Sequence, residues 1–414
     1  MKSNAFIHTS KGGDPNKITI GGESAGGVST ALHLVSPLTK SSDYRGAIIQ
    51  SGYQLPWNMQ QSKTEAQTNA NNLKTYFGCS SLACLRGLNT QDIITYQANS
   101  TDEFKPINDG YFLNGTVFDL LNSGSYKKVN LLIGDTRNEM TAWTCGVLPT
   151  DISVTQQKAV LSKYFGVTKA LQMYQQIPNY YTLANYPNNL AYLNDILSNA
   201  NVQCNARYAI SLASSAVYNT FFYTYDYHFS WVPSCFGTAH AAELPMQFPS
   251  TLKTRASTKY YSFNSDESFL SKQMVVYWSN FVVSGNPNKN STTVNLMVDQ
   301  TYWPRYSTCN DTQLIIQIQK NQVNNTMYAN VCPFLNPYVG LPVLQCDNSV
   351  TPPEPQASSP TPSPSSGKNQ TSPTQSIRLT SGRNGTAVAS GAAIGQVSKS
   401  IVWVMVLALF TLLK

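Results

Sequence analysis

The chain has 414 residues, of which 42% are hydrophobic and only 12% are charged, whereas about 25% charged residues is usual for soluble domains. This apolar content is ample for a sizeable core, and one α/β domain can hold about 340 residues. The net charge of +7 arises without a run of Lys or Arg, which excludes the basic footprint of a nucleic-acid-binding protein.

The first predicted elements flank a G-x-S-x-G sequence at residues 22–26, with Ser24 at its centre. Residues 17–20 alternate and are β-branched, which predicts a strand, and residues 28–35 predict a buried helix. A serine in the sharp turn between them exposes its hydroxyl, and the N–H of Ala25 points to where an oxyanion would form. We expect small residues at Gly22 and Gly26 because a side chain there would block the close approach of strand and helix. The alternative is a Gly-rich turn whose serine only caps the helix.

A second predicted strand, at residues 129–133, is followed by Asp135 and Glu139. Parallel sheets place functional groups at the carboxyl ends of their strands. A serine nucleophile needs a base and an acid that orients the base, and α/β-hydrolases carry them in the order serine, acid, histidine. Both acids satisfy that order, although Asp135 also suits a turn.

The chain contains four histidines: His8, His33, His228 and His240. His8 precedes the serine and His33 lies on the predicted helix after it, so the expected order disfavours both. His228 follows a predicted strand at residues 221–227, and His240 lies in a loop of small residues after Gly237. The residues alone leave both as candidate bases.

Nine short blocks resemble the type-B carboxylesterase and cholinesterase family in their order along the chain. They lie at residues 12–27, 47–57, 84–86, 109–110, 134–139, 237–245, 277–281, 285–288 and 303–306. The resemblance implies an α/β-hydrolase fold in which helices flank a mostly parallel central sheet. It also implies that Glu139 is the acid and His240 the base of Ser24, that Glu23 is buried beside the site, and that Ser51 supports the three.

Family members carry a long segment ahead of the serine motif, which holds early strands and a Gly-rich oxyanion loop. Here only 23 residues precede Ser24, and no such loop sequence occurs. We therefore expect an N-terminally incomplete domain with an exposed sheet edge and Ala25 as its remaining oxyanion donor. Because loss of one donor typically costs about 10²–10³ in rate, the chain alone is expected to be weakly active or inactive.

Eight cysteines and seven N-x-S/T sequons indicate an oxidising, secretory route. The resemblance implies that Cys79 and Cys84 form a disulfide, and the other pairings stay open. No Cys/His spacing indicates a zinc site, so we expect neither a metal nor a cofactor. The candidate glycosylation sites are Asn99, Asn114, Asn290, Asn310, Asn324, Asn369 and Asn384.

The C-terminal part changes in composition. We predict a carboxylesterase domain over residues 1–346, a Pro/Ser/Thr-rich stalk over 347–389, and an attachment signal or hydrophobic anchor over 390–414. Small residues at 390–392, a spacer and the apolar run 401–413 resemble a GPI signal. That run is short for a spanning helix, which needs about 20 residues.

The preferred hypothesis is a surface-anchored serine carboxylesterase that hydrolyses small-molecule esters through an acyl-enzyme. Two alternatives are a non-catalytic, cholinesterase-like adhesion or recognition glycoprotein and an inactive esterase fragment. The sequence predicts no nucleic-acid partner and leaves the oligomeric state and the substrate open. An intact Ser24, Glu139 and His240 favour the enzyme, because binding relatives often lack one of the three.

Overall fold

The structure is a computed structural model that describes residues 14–248, 262–288, 300–325 and 327–346. The predicted stalk and anchor, His8, Asn290, Asn369 and Asn384 lie outside these ranges. The strands are β1 Thr19–Glu23, β2 Gly46–Gln50, β3 Gln61–Ser62, β4 Ile107–Asn108, β5 Asn130–Thr136, β6 Thr220–Tyr225, β7 Gln313–Ile316 and β8 Gln322–Asn324.

Helices connect and cover these strands. They are α1 Ala25–Val35, α2 Pro56–Met59, α3 Lys63–Tyr76, α4 Leu82–Arg86, α5 Thr90–Asn99, α6 Val117–Asn122, α7 Thr141–Thr144, α8 Val154–Phe165, α9 Val167–Gln176, α10 Asn189–Ser198, α11 Cys204–Ser214, α12 Leu244–Gln247, α13 Ser265–Ser284 and α14 Val331–Leu335. A π-helical turn, Asn199–Gln203, joins α10 to α11. Within the described ranges, none of these helices combines the length and the apolar character needed to cross a membrane.

The central sheet has six strands in the order β1-β2-β5-β6-β7-β8. All neighbouring pairs are parallel except β7 and β8, which are antiparallel. The inner strands β2, β5, β6 and β7 are almost fully buried, as expected for a parallel sheet covered on both faces, whereas the outer strands β1 and β8 are partly exposed. Successive side chains of a strand point to opposite faces of the sheet. Ile49 and Ile133 pack in the hydrophobic core on one face, and Ile48, Leu132 and Phe221 pack in the core on the other face.

The predicted elements exist, with shifted ends. β1 begins at Thr19 and not at Lys17, because Asp14 caps a short 3-10 turn over Pro15–Lys17. The predicted strand 129–133 continues as β5 to Thr136, since β6 pairs with it to that residue. Asp135, expected as a turn residue, is therefore a fully buried strand residue.

Four disulfides use all eight cysteines. Cys79 and Cys84 are paired as predicted, across a separation of five residues. The other three connect distant parts of the chain and could not be predicted from spacing; they are Cys145–Cys235, Cys204–Cys332 and Cys309–Cys346.

Candidate active site

Ser24 occupies the turn between β1 and α1. Its backbone angles, φ 56° and ψ −120°, lie in a region that residues other than glycine rarely adopt and that is strained. Two hydrogen bonds stabilise this geometry: the Ser24 N–H donates to the carbonyl of Gln50 at 3.0 Å, and the Val28 N–H donates to the Ser24 carbonyl at 2.9 Å. The turn thus projects the hydroxyl at the carboxyl end of β1, beside the N-terminus of α1.

Glycines allow α1 to approach the sheet closely. A Cβ on Gly22 would lie 2.3 Å from the carbonyl carbon of Gly26, and one on Gly27 would lie 2.7 Å from the Gln50 carbonyl oxygen and the Gly52 Cα. A Cβ on Gly26 itself would meet nothing within 4 Å. The expectation that side chains would block the approach is therefore correct for the first glycine of the motif and wrong for the second.

Glu139 contacts both the predicted base, His240, and the predicted supporting serine, Ser51. Its carboxylate is fully buried, and Oε2 lies 2.5 Å from Nδ1 of His240. The other oxygen, Oε1, accepts hydrogen bonds from the Ser51 hydroxyl at 2.5 Å and from the Thr136 N–H at 2.8 Å. These donors hold the carboxylate in one orientation, so the imidazole presents Nε2 on its opposite side.

The chain segments that carry Glu139 and His240 are tied together beside the site. The Asn138 N–H donates to the Thr238 carbonyl at 3.0 Å, and the Thr238 N–H donates to the Asn138 side-chain oxygen at 3.0 Å. Gly237 has φ +50°, and a Cβ there would lie 2.4 Å from that same oxygen. The Cys145–Cys235 disulfide joins the two segments again, so acid and base are positioned as one unit.

Two further carboxylates surround the imidazole. Oε1 of Glu23 lies 3.2 Å from Nε2 of His240, and Glu243 is fully buried nearby. Burial raises the pKa of Glu23 to about 8; the positive imidazole opposes this rise, and the charges of Glu243 and Glu139 add to it. Burial also opposes protonation of His240, but the three carboxylates outweigh it and raise its pKa to about 9.

A cavity of about 290 Å³ opens in front of Ser24 and His240, and both residues line it. The Trp143 ring lies beside the imidazole, with 5.0 Å between the ring centroids. Most of the remaining wall is apolar and suits the hydrocarbon part of a small ligand. Its apolar side chains include Val28, Phe104, Met140, Trp143 and Val202.

The family model of the carboxylesterase family matches residues 9–335. The chain belongs to the carboxylesterase family. It is 27% identical over 357 residues to a cholinesterase from Mus musculus, a match that covers 78% of this chain and 56% of the cholinesterase. The chain thus spans little more than half the length of that relative.

Membership of the carboxylesterase family makes this an α/β-hydrolase fold, as the sequence predicted. Ser24 and His240 line one cavity. Glu23 and Glu139 lie against the imidazole, and Ser51 donates to Glu139. His228 follows β6 outside the cavity lining, and the His33 ring packs edge-on against Phe112.

Asp135, kept in the sequence analysis as a weaker candidate acid, makes no contact with His240 in the described structure. Its Oδ1 accepts hydrogen bonds from Thr224 at 2.7 Å and Tyr328 at 3.4 Å. Burial, first, and the charge of Glu139 raise its pKa well above the ordinary value. It therefore belongs to a buried polar cluster behind the strand and not to the group around the imidazole.

Sequence reasoning missed Glu243 in this candidate site. Its Oε1 accepts hydrogen bonds from the Gln50 side chain at 3.1 Å and the Tyr223 hydroxyl at 3.3 Å. Burial and the charge of Glu139 raise its pKa. The available signal was its position, three residues after His240 in a block already identified as family-like.

Proposed function

We propose that this protein is a serine carboxylesterase that hydrolyses carboxylic esters through an acyl-enzyme. The observation that carries the proposal is the 2.5 Å contact between Glu139 and Nδ1 of His240, next to a serine on a strained turn in the same cavity. Family membership supports the reaction class.

In the proposed reaction, the Ser24 hydroxyl oxygen attacks the ester carbonyl and gives its proton to Nε2 of His240. Glu139 stabilises the imidazolium through Nδ1. The Ala25 N–H, at the start of α1, donates to the oxyanion that forms. The imidazolium then protonates the leaving alcohol, and water, activated in the same way, releases the acid and regenerates Ser24.

Covalent labelling with a fluorophosphonate probe tests the nucleophile in the secreted full-length protein. Ser24→Ala should abolish both labelling and ester hydrolysis. His240→Gln should also remove activity, whereas His228→Gln is the matched control and should retain most of it. Normal labelling of folded Ser24→Ala would refute the assignment, and failure of the folded wild-type protein to label or to hydrolyse esters would favour a non-catalytic surface glycoprotein.

We also propose that the protein is an extracellular glycoprotein held by a GPI anchor. Four disulfides are typical of proteins from oxidising compartments. Three sequon asparagines, Asn99, Asn114 and Asn310, are exposed, as glycan attachment requires. The anchor rests on the pattern in residues 390–414, whose apolar run of 13 residues would span roughly 20 Å as a helix, short of the ~30 Å core of a bilayer.

Phosphatidylinositol-specific phospholipase C tests the anchor on intact cells that express the protein with a functional signal peptide. The enzyme should release the protein into the medium. Retention after a verified digestion, with the 401–413 peptide still detectable by mass spectrometry, would contradict the GPI proposal and favour a hydrophobic tail.

A further inference from the structure

Gln203, the last residue of the π-helical turn, contacts the chain segment that leads from β5 to Glu139. The side chain is fully buried. Its amide nitrogen donates to the Thr136 carbonyl at 2.8 Å and to the Arg137 carbonyl at 3.1 Å. A glutamine amide has two N–H donors, so this one group bonds two successive carbonyls at the point where the chain leaves the sheet.

Thr136 connects Gln203 to the proposed catalytic acid. Its carbonyl accepts from Gln203, and its own N–H donates to Oε1 of Glu139 at 2.8 Å. The other oxygen of that carboxylate, Oε2, lies 2.5 Å from Nδ1 of His240. A shift of the Thr136 backbone would therefore move a donor that orients Glu139.

A second contact from the same helical unit lies on the other side of Glu139. The Met140 N–H donates to the hydroxyl oxygen of Ser198, the last residue of α10, at 3.0 Å. Ser198 is also fully buried. The unit formed by α10, the π-helical turn and α11 thus holds the backbone both before and after the acid.

The π-helical turn explains how Ser198 and Gln203 reach the same loop. On a regular α-helix, side chains three or four residues apart share a face, whereas these two are five residues apart. The Cys204 N–H donates to the Asn199 carbonyl, which is the five-residue hydrogen bond of a π-turn. The wider turn brings residues five apart onto one face. Such turns are frequent at functional sites, and this one serves the loop that carries the acid.

We propose that Gln203 is a positioning residue: by holding the end of β5, it keeps Glu139 directed at the imidazole of His240. The two residues before it, Asn201 and Val202, line the catalytic cavity, whereas Gln203 is not part of the described lining. It therefore acts through the loop and not on the substrate. This inference rests on the proposed esterase function.

Replacement of Gln203 by methionine tests the proposal in the full-length protein. Gln203→Met retains the length of the side chain and removes both donors. The Thr136 and Arg137 carbonyls lose these bonds, and Glu139 loses its fixed orientation. Because a misplacement of about 1 Å can cost about 10²-fold in rate, kcat for 4-nitrophenyl acetate should fall about tenfold to hundredfold. KM should change by less than about twofold, since Gln203 lies outside the described lining and substrate binding is retained.

The pKa of the His240 imidazole distinguishes positioning from a general loss of stability. Burial lowers this pKa, but the charge of Glu139, followed by those of Glu23 and Glu243, raises it to about 9. If Glu139 loses its orientation, the imidazole pKa should fall by about one pH unit, and the pH at half-maximal kcat/KM should fall with it. NMR of 15N-histidine-labelled protein measures the same pKa without turnover, and His240→Gln assigns the signal among the four histidines.

Gln157→Met is the matched control. Gln157 is also buried, and its amide donates to the Ile152 carbonyl at 3.1 Å, outside the described cavity lining. This variant should lower the Tm, as Gln203→Met does, but leave kcat and the imidazole pKa unchanged. Ser198→Ala removes the acceptor of the Met140 N–H, so kcat should fall about threefold and the pKa should fall less than in Gln203→Met.

Wild-type kcat and imidazole pKa in folded Gln203→Met would overturn the proposal. If that variant does not fold, unchanged kcat and pKa in Ser198→Ala would overturn it as well. So would an equal fall of the pKa in Gln157→Met. Failure of the proposed function has a different signature, because the wild-type protein would then hydrolyse no ester while the NMR titration would still show whether Gln203 influences the imidazole pKa.

Discussion

The two glycines of the G-x-S-x-G motif are expected to respond very differently to the same substitution. In Gly22→Ala, the new Cβ would lie 2.3 Å from the Gly26 carbonyl carbon and 2.4 Å from its oxygen. In Gly26→Ala, the new Cβ would have no neighbour within 4 Å. The prediction is that the first variant loses both stability and activity, while the second keeps its stability.

The magnitude follows from the geometry. Carbon atoms prefer separations of about 3.5–4.0 Å, so Gly22→Ala falls short by more than about 1 Å against backbone that cannot rotate away. Relief requires β1 and α1 to separate. Overpacking of this kind costs about 1–3 kcal/mol and occasionally more, and we expect about 3 kcal/mol. Gly26→Ala lies in the first turn of α1, where alanine is favoured over glycine by up to about 1 kcal/mol.

Thermal unfolding and probe labelling measure the two effects. An unfolding entropy of about 2.1 cal/mol/K per residue, over the 9–335 segment, converts 3 kcal/mol into a fall in Tm of roughly 4 °C. Displacement of Ser24 by about 1 Å should slow fluorophosphonate labelling of Gly22→Ala about 10²-fold. The Tm of Gly26→Ala should equal or exceed that of the wild type.

Equal Tm values for Gly22→Ala and the wild type would refute the steric argument. A fall of several degrees for Gly26→Ala alone would refute it more directly. In that case the second glycine would be required for a reason other than the space around its Cβ.

Ser51→Ala should lower kcat about tenfold, because it removes a hydrogen bond to the buried Glu139 carboxylate, worth about 1.5–3 kcal/mol for a charged acceptor. Ser215→Ala, on an exposed serine, is its control, and equal effects of the two would contradict the prediction. The pH dependence of kcat/KM should depend on the carboxylates around His240, because they raise the imidazole pKa to about 9. The value of kcat/KM should rise with pH through this pKa, since only neutral imidazole accepts the serine proton. Glu23→Gln removes a carboxylate that raises this pKa, so its profile should move to lower pH, and an unmoved or upward-shifted profile would contradict the assignment.

The sequence predicted the serine turn correctly because its requirements are local. A β-branched strand, a small-residue turn and a buried helix follow one another within residues 17–35, and the strained angles of Ser24 depend mainly on these neighbours and on Gln50. The resemblance to a known family then selected Glu139 and His240, whose roles stay proposals. Physical reasoning from the residues alone left His228 open.

The features that were missed depend on contacts between distant residues. β5 extends through Asp135 because Thr224 of β6 pairs with that residue. The local sequence around Asp135 does not indicate this pairing. Glu243 is held by Gln50, 193 residues earlier in the chain. Three of the four disulfides span 37 residues or more, so spacing could not identify them.

The link between Asn138 and Thr238 has a consequence for the order in which the protein matures. Glu139 and His240 are 101 residues apart, so their contact depends on the fold of the intervening helices, π-turn and β6 and not on a local turn. If Ser24 is the nucleophile that we propose, its reactivity towards a probe would therefore report that this part of the chain has folded. In a pulse-chase experiment, the time between synthesis and first labelling would measure how long the domain takes to fold.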